Sequence, residues 1–118
     1  LEAGLVLPGS SDRPVVAGAP LLGIGDMVNR RTGAGAPFND GEAITAEQAL
    51  GAYTSGSAYA SHAEDTKGTI APGRLADLVV LAEDPTAVSP DRIAGISVLA
   101  TLVDGTGRFD VTGKLPPG

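Results

Sequence analysis

Residues 66–81 read Thr-Lys-Gly-Thr-Ile-Ala-Pro-Gly-Arg-Leu-Ala-Asp-Leu-Val-Val-Leu, a turn-rich approach that runs into four consecutive apolar residues. Pro72-Gly73 has the chemistry of the two central positions of a type II turn, where Pro presets φ and Gly supplies the positive φ. Leu78 to Leu81 shows no polar alternation, the pattern of a strand covered on both faces. Such a strand needs a layer above and a layer below it, which limits the folds open to the chain.

The supply of core residues is modest. The chain has 118 residues, enough for one domain. Leu, Ile, Val and Phe make up about a quarter of it, above the level that signals disorder. Gly and Pro number 17 and 9, which implies many turns. The aromatic residues are Phe38, Tyr53, Tyr59 and Phe109. Small aliphatic side chains must therefore fill the core, with Ala at helix contacts. A free-standing domain of this size is poorly served by such a core, a first sign of a missing partner surface.

Charge narrows the partners. A net charge of −6 with eight dispersed Lys and Arg argues against nucleic acid, because phosphate binding needs clustered cations. No stretch approaches the roughly 20 apolar residues of a membrane span. The start, Leu-Glu-Ala-Gly, lacks Met and a basic n-region. It reads as no signal peptide and no natural N-terminus, with a cytoplasmic location as the resulting expectation. Without cysteine, disulfides and thiolate metal sites are excluded.

Along the chain, residues 4–11 hold a short apolar strand candidate that ends in turn residues, with Asp12 directly after it and Pro14 behind. Residues 21–32 read as an amphipathic helix in which Asp26 precedes Arg30 by four positions, a favourable pair. Residues 33–43 are a loop by composition. Thr45 and Gln48 form a capping box, followed by an inward stripe of Ala49, Leu50 and Tyr53. Ser55-Gly56-Ser57 is expected to break this helix, with a further short helix over 57–62. After β-type residues 77–81, Ser89-Pro90 starts a helical turn with Pro at its first position. Residues 96–103 form a second strand, and Asp104-Gly105 marks a hairpin turn into a third near 108–111. Residues 113–118 form a frayed tail.

Several constellations carry less than they first suggest. His62, the single histidine, has Glu64 and Asp65 nearby, but not at helical i, i+4 spacing; it reads as a surface residue near a helix C-terminus. Ser10 or Ser11 with His62 lacks the second Gly of a nucleophile elbow. Gly33 and Gly35 lack the third Gly and the preceding strand of a dinucleotide loop. Arg30 and Arg31 read as a solvated helix face, with a bidentate clamp for a substrate carboxylate as the alternative. Arg74 and Asp77 read as structural, Asp77 satisfying free backbone amides beside the strand.

Two blocks resemble one family. Gly-Ser-Ser-Asp-Arg-Pro-Val from residue 9, with Pro-Leu-Leu-Gly-Ile and Arg-Arg up to residue 31, is similar to the last barrel strand and following loop of metal-dependent amidohydrolases, nearest to the amidohydrolase-3 branch. Residues 44–109 resemble the rest of that family's C-terminus, the Pro-Gly turn and Ala-Asp before the apolar strand above all.

This resemblance implies an α+β fragment: the last strand and closing helices of a (β/α)8 barrel, plus strands of a small composite β-sandwich. Residues 1–65 would be the barrel remnant, 66–112 the sandwich portion and 113–118 a flexible tail. Barrel enzymes carry their active sites at the C-terminal ends of strands, which is where Asp12 falls. By resemblance Asp12 is both the catalytic residue and a metal ligand. The cofactor implied is a divalent metal, zinc by preference, in the full-length enzyme and none in this fragment. The implied substrate is a small-molecule amide. The fragment is expected to be inactive, since a catalytic zinc takes about three protein ligands. The alternative is an independent structural module that forms a homo-oligomer through exposed sheet edges.

Overall fold

The computed structural model describes residues 3–115, which form a small α+β fold. Its helices are α1, Pro20–Asn29, α2, Ala46–Gly51, and α3, Ser57–Ala60. Its strands are β1, Leu78–Leu81, β2, Val98–Val103, and β3, Thr106–Asp110. The strands make one antiparallel sheet in the order β1-β2-β3. No helix among the described residues is long and apolar enough to cross a membrane.

α1 begins at Pro20, whose missing N–H costs nothing at a helix start. It ends before the expected residue 32. Arg30 turns left-handed at φ 48°, and its N–H donates to the Asp26 carbonyl. The chain then folds back as a small loop, with Phe38 N–H donating to Arg30 O at 2.8 Å and a bridge between Arg31 and Pro37. Arg30 consequently does not pair with Asp26. Its guanidinium lies 5.4 Å from the centre of the Phe38 ring, a cation–π contact, and Arg31 donates to Gly35 O at 3.0 Å. Both arginines thus brace the loop that follows α1.

The Thr45 capping box forms as its spacing predicts: Gln48 N–H donates to Thr45 Oγ1 at 3.2 Å and Thr45 N–H to Gln48 Oε1 at 2.9 Å. The expected break at 55–57 does not occur. A π-type turn over Ala52–Gly56 carries α2 directly into α3. Thr54 and Ser55 hydroxyls donate back to Leu50 O and Gly51 O, four residues earlier, so these residues serve the ladder rather than interrupt it.

Ile24, Ala49 and Ile93 are the centre of the core, with Leu21, Met27, Leu50, Tyr53 and Val88 packed around them. Ile93 comes from a 3-10 turn over Pro90–Gly95, so the segment between β1 and β2 closes the helical core. Asn29 fastens this junction: its Nδ2 donates to Gly25 O at 2.9 Å and to Pro90 O at 2.8 Å. Gly25 permits the close approach, for a Cβ there would already touch Ala94 at 3.4 Å.

The signature run behaves as a turn and a strand. Gly73 has φ +83°, and Arg74 N–H donates to Ala71 O at 3.2 Å. Asp104 and Gly105, at φ 49° and 74°, give the paired positive φ of a type I′ hairpin. β1 departs from expectation in its cover. Val79 is 55% exposed and Val80 44%, so among the described residues no second layer lies over the strand.

Residues 4–10, expected to form a strand, do not. Leu5, Val6 and Leu7 are exposed. A strand exists only with a neighbour to share its ladder, and no described strand runs beside this segment. Beyond β3, Asp110 accepts from Leu115 N–H at 2.8 Å; residues 116–118 of the expected tail lie outside the described residues.

Candidate functional site

Asp12 sits at the tip of a tight turn, exposed and in the left-handed region at φ 47°. Asp tolerates that conformation better than most residues. Its N–H donates to Ser10 Oγ at 3.1 Å, its carbonyl accepts from Val15 N–H at 2.9 Å, and the Arg13–Pro14 peptide is cis. These contacts occupy its backbone and leave its carboxylate available to solvent. Beside the same loop lies a cleft of about 310 Å³ that takes in Ser10, Ser11, Asp26, Arg30 and Tyr53.

The loop is anchored where the chain dips inward. Gly9 is buried. Its N–H donates to Ala52 O at 2.8 Å, and its carbonyl accepts from Ser57 Oγ at 3.0 Å. A Cβ at Gly9 would overlap the Tyr53 ring, and one at Gly23 would overlap the Tyr53 hydroxyl. Tyr53 is therefore wedged between the Asp12 loop and α1. Gly56 also sits close at this crossing: a Cβ there would lie 3.1 Å from Leu7 O and 3.2 Å from Gly51 O, tighter than an ordinary contact.

Asp12 is one oxygen donor and fits the role of a single ligand to a hard or borderline divalent metal. It cannot hold one alone. Among the described residues, no three His, Cys, Asp or Glu side chains converge on a point that could hold an ion. His62 lies at the end of α3, exposed and at φ 53°, and joins no such group.

The other singled-out residues are structural. Asp77 Oδ1 accepts from Asp104 N–H at 2.9 Å, tying the start of β1 to the β2–β3 hairpin. Arg74 donates to the Glu64 carbonyl, bracing the turn before the sheet. A second cleft, of about 540 Å³, opens between α3 and β1 with Lys67 and Asp77 in its wall, and it does not reach Asp12. Missing from the sequence reading are Gly9, Tyr53 and Ser57 as the mount of the Asp12 loop.

Similarity to known proteins runs along nearly the whole chain. The profile of the amidohydrolase family matches residues 1–107, and amidohydrolases of this kind generally use a divalent metal. An N-substituted formamide deformylase of Arthrobacter pascens is 38% identical over 114 residues, 97% of this chain and 21% of that protein. A Bacillus subtilis protein provisionally named amidohydrolase YtcJ is 33% identical over 108 residues, 89% of this chain and 20% of its own length. The chain thus spans about a fifth of these relatives. No solved structure matches it. With a family match that runs from the Asp12 loop through most of the sheet, the chain belongs to the amidohydrolase family.

Proposed function

We propose that the intact protein hydrolyses the carbon–nitrogen bond of a small amide, an N-substituted formamide or a near relative of one. The observation that carries this reading is the family match over residues 1–107, which includes an exposed aspartate whose backbone is held and whose carboxylate is available. In this reading the helical part closes a (β/α)8 barrel and the sheet belongs to a small β-sandwich.

Asp12 would contribute one carboxylate oxygen to a divalent metal, zinc by preference, with its remaining ligands from elsewhere in the intact protein. Such an ion supplies Lewis-acid polarisation and makes water a competent nucleophile near neutral pH. Asp12 takes the proton of the attacking water as the water oxygen bonds to the carbonyl carbon. It returns that proton to the amine nitrogen as the carbon–nitrogen bond breaks. A formamide then yields formate and an amine, the second proton of the water leaving the formic acid for the amine or for solvent. In this reading the segment by itself, which brings only Asp12 of the ligand set, is inactive.

Release of formate and amine from N-alkyl and N-aryl formamides, followed in the intact protein, tests the reading. Turnover should disappear after dialysis against a chelator and return with zinc. Undiminished turnover after complete metal removal would sink the metal role, and no hydrolysis of any amide in a broad panel would sink the hydrolase.

A further inference from the structure

Gly9 is held on three sides by one short stretch of chain. Its N–H goes to Ala52 O at 2.8 Å, its carbonyl to the Ser57 hydroxyl at 3.0 Å, and its missing Cβ leaves the space that the Tyr53 ring occupies. The stretch 52–57 includes the π-type turn, a rare local geometry that concentrates at functional sites. The Ser57 hydroxyl also lies 3.0 Å from Ala52 O, so its one proton is shared between the carbonyls of Ala52 and Gly9. Both backbone groups of Gly9 are thereby tied to the same point of the helix.

Burial falls just beyond this clamp. Gly9 is buried, Ser11 is half-buried, and Ser10 and Asp12 are exposed. Between Gly9 and Asp12 the contacts are local, chiefly the bond from Asp12 N–H to Ser10 Oγ at 3.1 Å. The position of the Asp12 carboxylate relative to the helical layer is therefore set at Gly9. A metal-ligating or proton-transferring carboxylate must be held to within about 0.5 Å of its working position. A swivel at Gly9 would move it by more than that.

We infer that Ser57 is a positioning residue for Asp12: with Tyr53 and the Ala52 carbonyl it locks Gly9 and so fixes the carboxylate in the site. This rests on the reading of Asp12 as metal ligand and proton acceptor. Ser57 touches neither substrate nor metal. It acts through the backbone of Gly9.

The test compares the intact wild-type protein with Ser57→Ala, Ser57→Thr, Asp12→Asn and the Asp12→Asn/Ser57→Ala double variant. Zinc affinity is read by competition with a chelating dye, and kcat and KM are measured with a formamide substrate. Loss of the clamp should weaken zinc binding and lower kcat by about 10- to 100-fold each, the usual cost of disturbing a group that orients a metal ligand, with KM little changed. Ser57→Thr, which keeps the hydroxyl, should recover most of both. In the Asp12→Asn background the further loss from Ser57→Ala should shrink to less than about twofold, because coupled residues are not additive. Circular dichroism checks the fold, and Ser57→Cys replaces the alanine variant should that one unfold.

Wild-type zinc affinity and kcat in Ser57→Ala, with both lost in Asp12→Asn, would overturn the positioning role and leave Asp12 standing. So would a Ser57→Ala loss of full size in the Asp12→Asn background, which marks a general structural role. Asp12→Asn with unchanged zinc affinity and turnover would remove the catalytic reading of Asp12 and the positioning role with it.

Discussion

Asp110 shows how one carboxylate can organise the turn after a strand. It accepts from the Thr112 hydroxyl at 2.6 Å and the Thr112 N–H at 2.7 Å, and from Leu115 N–H at 2.8 Å. The Thr112 hydroxyl is the largest of several hydrogen-bond contributions that hold its pKa down to about 2, from an ordinary 3.8. Asp84 repeats the device with Thr86, and its pKa is lowered by the same kind of hydroxyl contact. The sign follows from these bonds. They favour the charged form in the folded state, so the turn after β3 is fully supported above pH 3.8 and loses support as pH falls towards 2. The Leu115 amide resonance should therefore titrate with a midpoint near 2. A midpoint at 3.8 would show that the Asp110 contacts do not form in solution.

At the scale of elements, the helical layer depends on a well-capped start. Removing the cap with Thr45→Ala should cost about 1 kcal/mol. Amide exchange at Gln48 and Ala49 in the intact protein should then quicken by about fivefold if it proceeds through local opening. Unchanged exchange would mean that packing of Ala49, fully buried, holds the helix start without the cap. Thr45-Gln48, Pro72-Gly73 and Asp104-Gly105 were all legible in the sequence, because each is a local device whose partners lie within a few residues. Asp77 was legible for a related reason: a carboxylate before a strand has few uses other than a backbone amide. The strand expected at 4–10 was not settled by its own residues, since a ladder depends on a neighbour. Nor did any local pattern point to the mount of Asp12. Ser57 and Gly9 are separated by 48 positions, and the Ser-Gly-Ser triplet expected to break the helix instead joins the π turn to α3.

At the scale of the whole molecule, buried apolar surface is scarce. Ile24, Ala49, Ala58, Ile93, Ile96 and Ala100 are the buried hydrophobic residues among those described. The radius of gyration is 15.1 Å, against about 13.5 Å for a compact chain of this length. Val79 and Phe109 both pair with Thr101 across the sheet, so they share one face, and they are 55% and 47% exposed. An apolar face of this kind calls for a covering layer. The 118-residue segment by itself should elute from size exclusion well above its 11.7 kDa mass. Val79→Lys with Phe109→Lys should bring it towards monomer. A wild-type segment that runs as a clean monomer at high concentration would contradict the view that this sheet is built to be covered.

If Asp12 works as a metal ligand and proton acceptor, bound zinc and turnover in the intact Asp12→Asn protein should both fall. Zinc retention should weaken and kcat drop by about 10²- to 10⁴-fold, the usual contribution of a positioned acid–base group. Full zinc occupancy with kcat within about twofold of wild type would contradict that role.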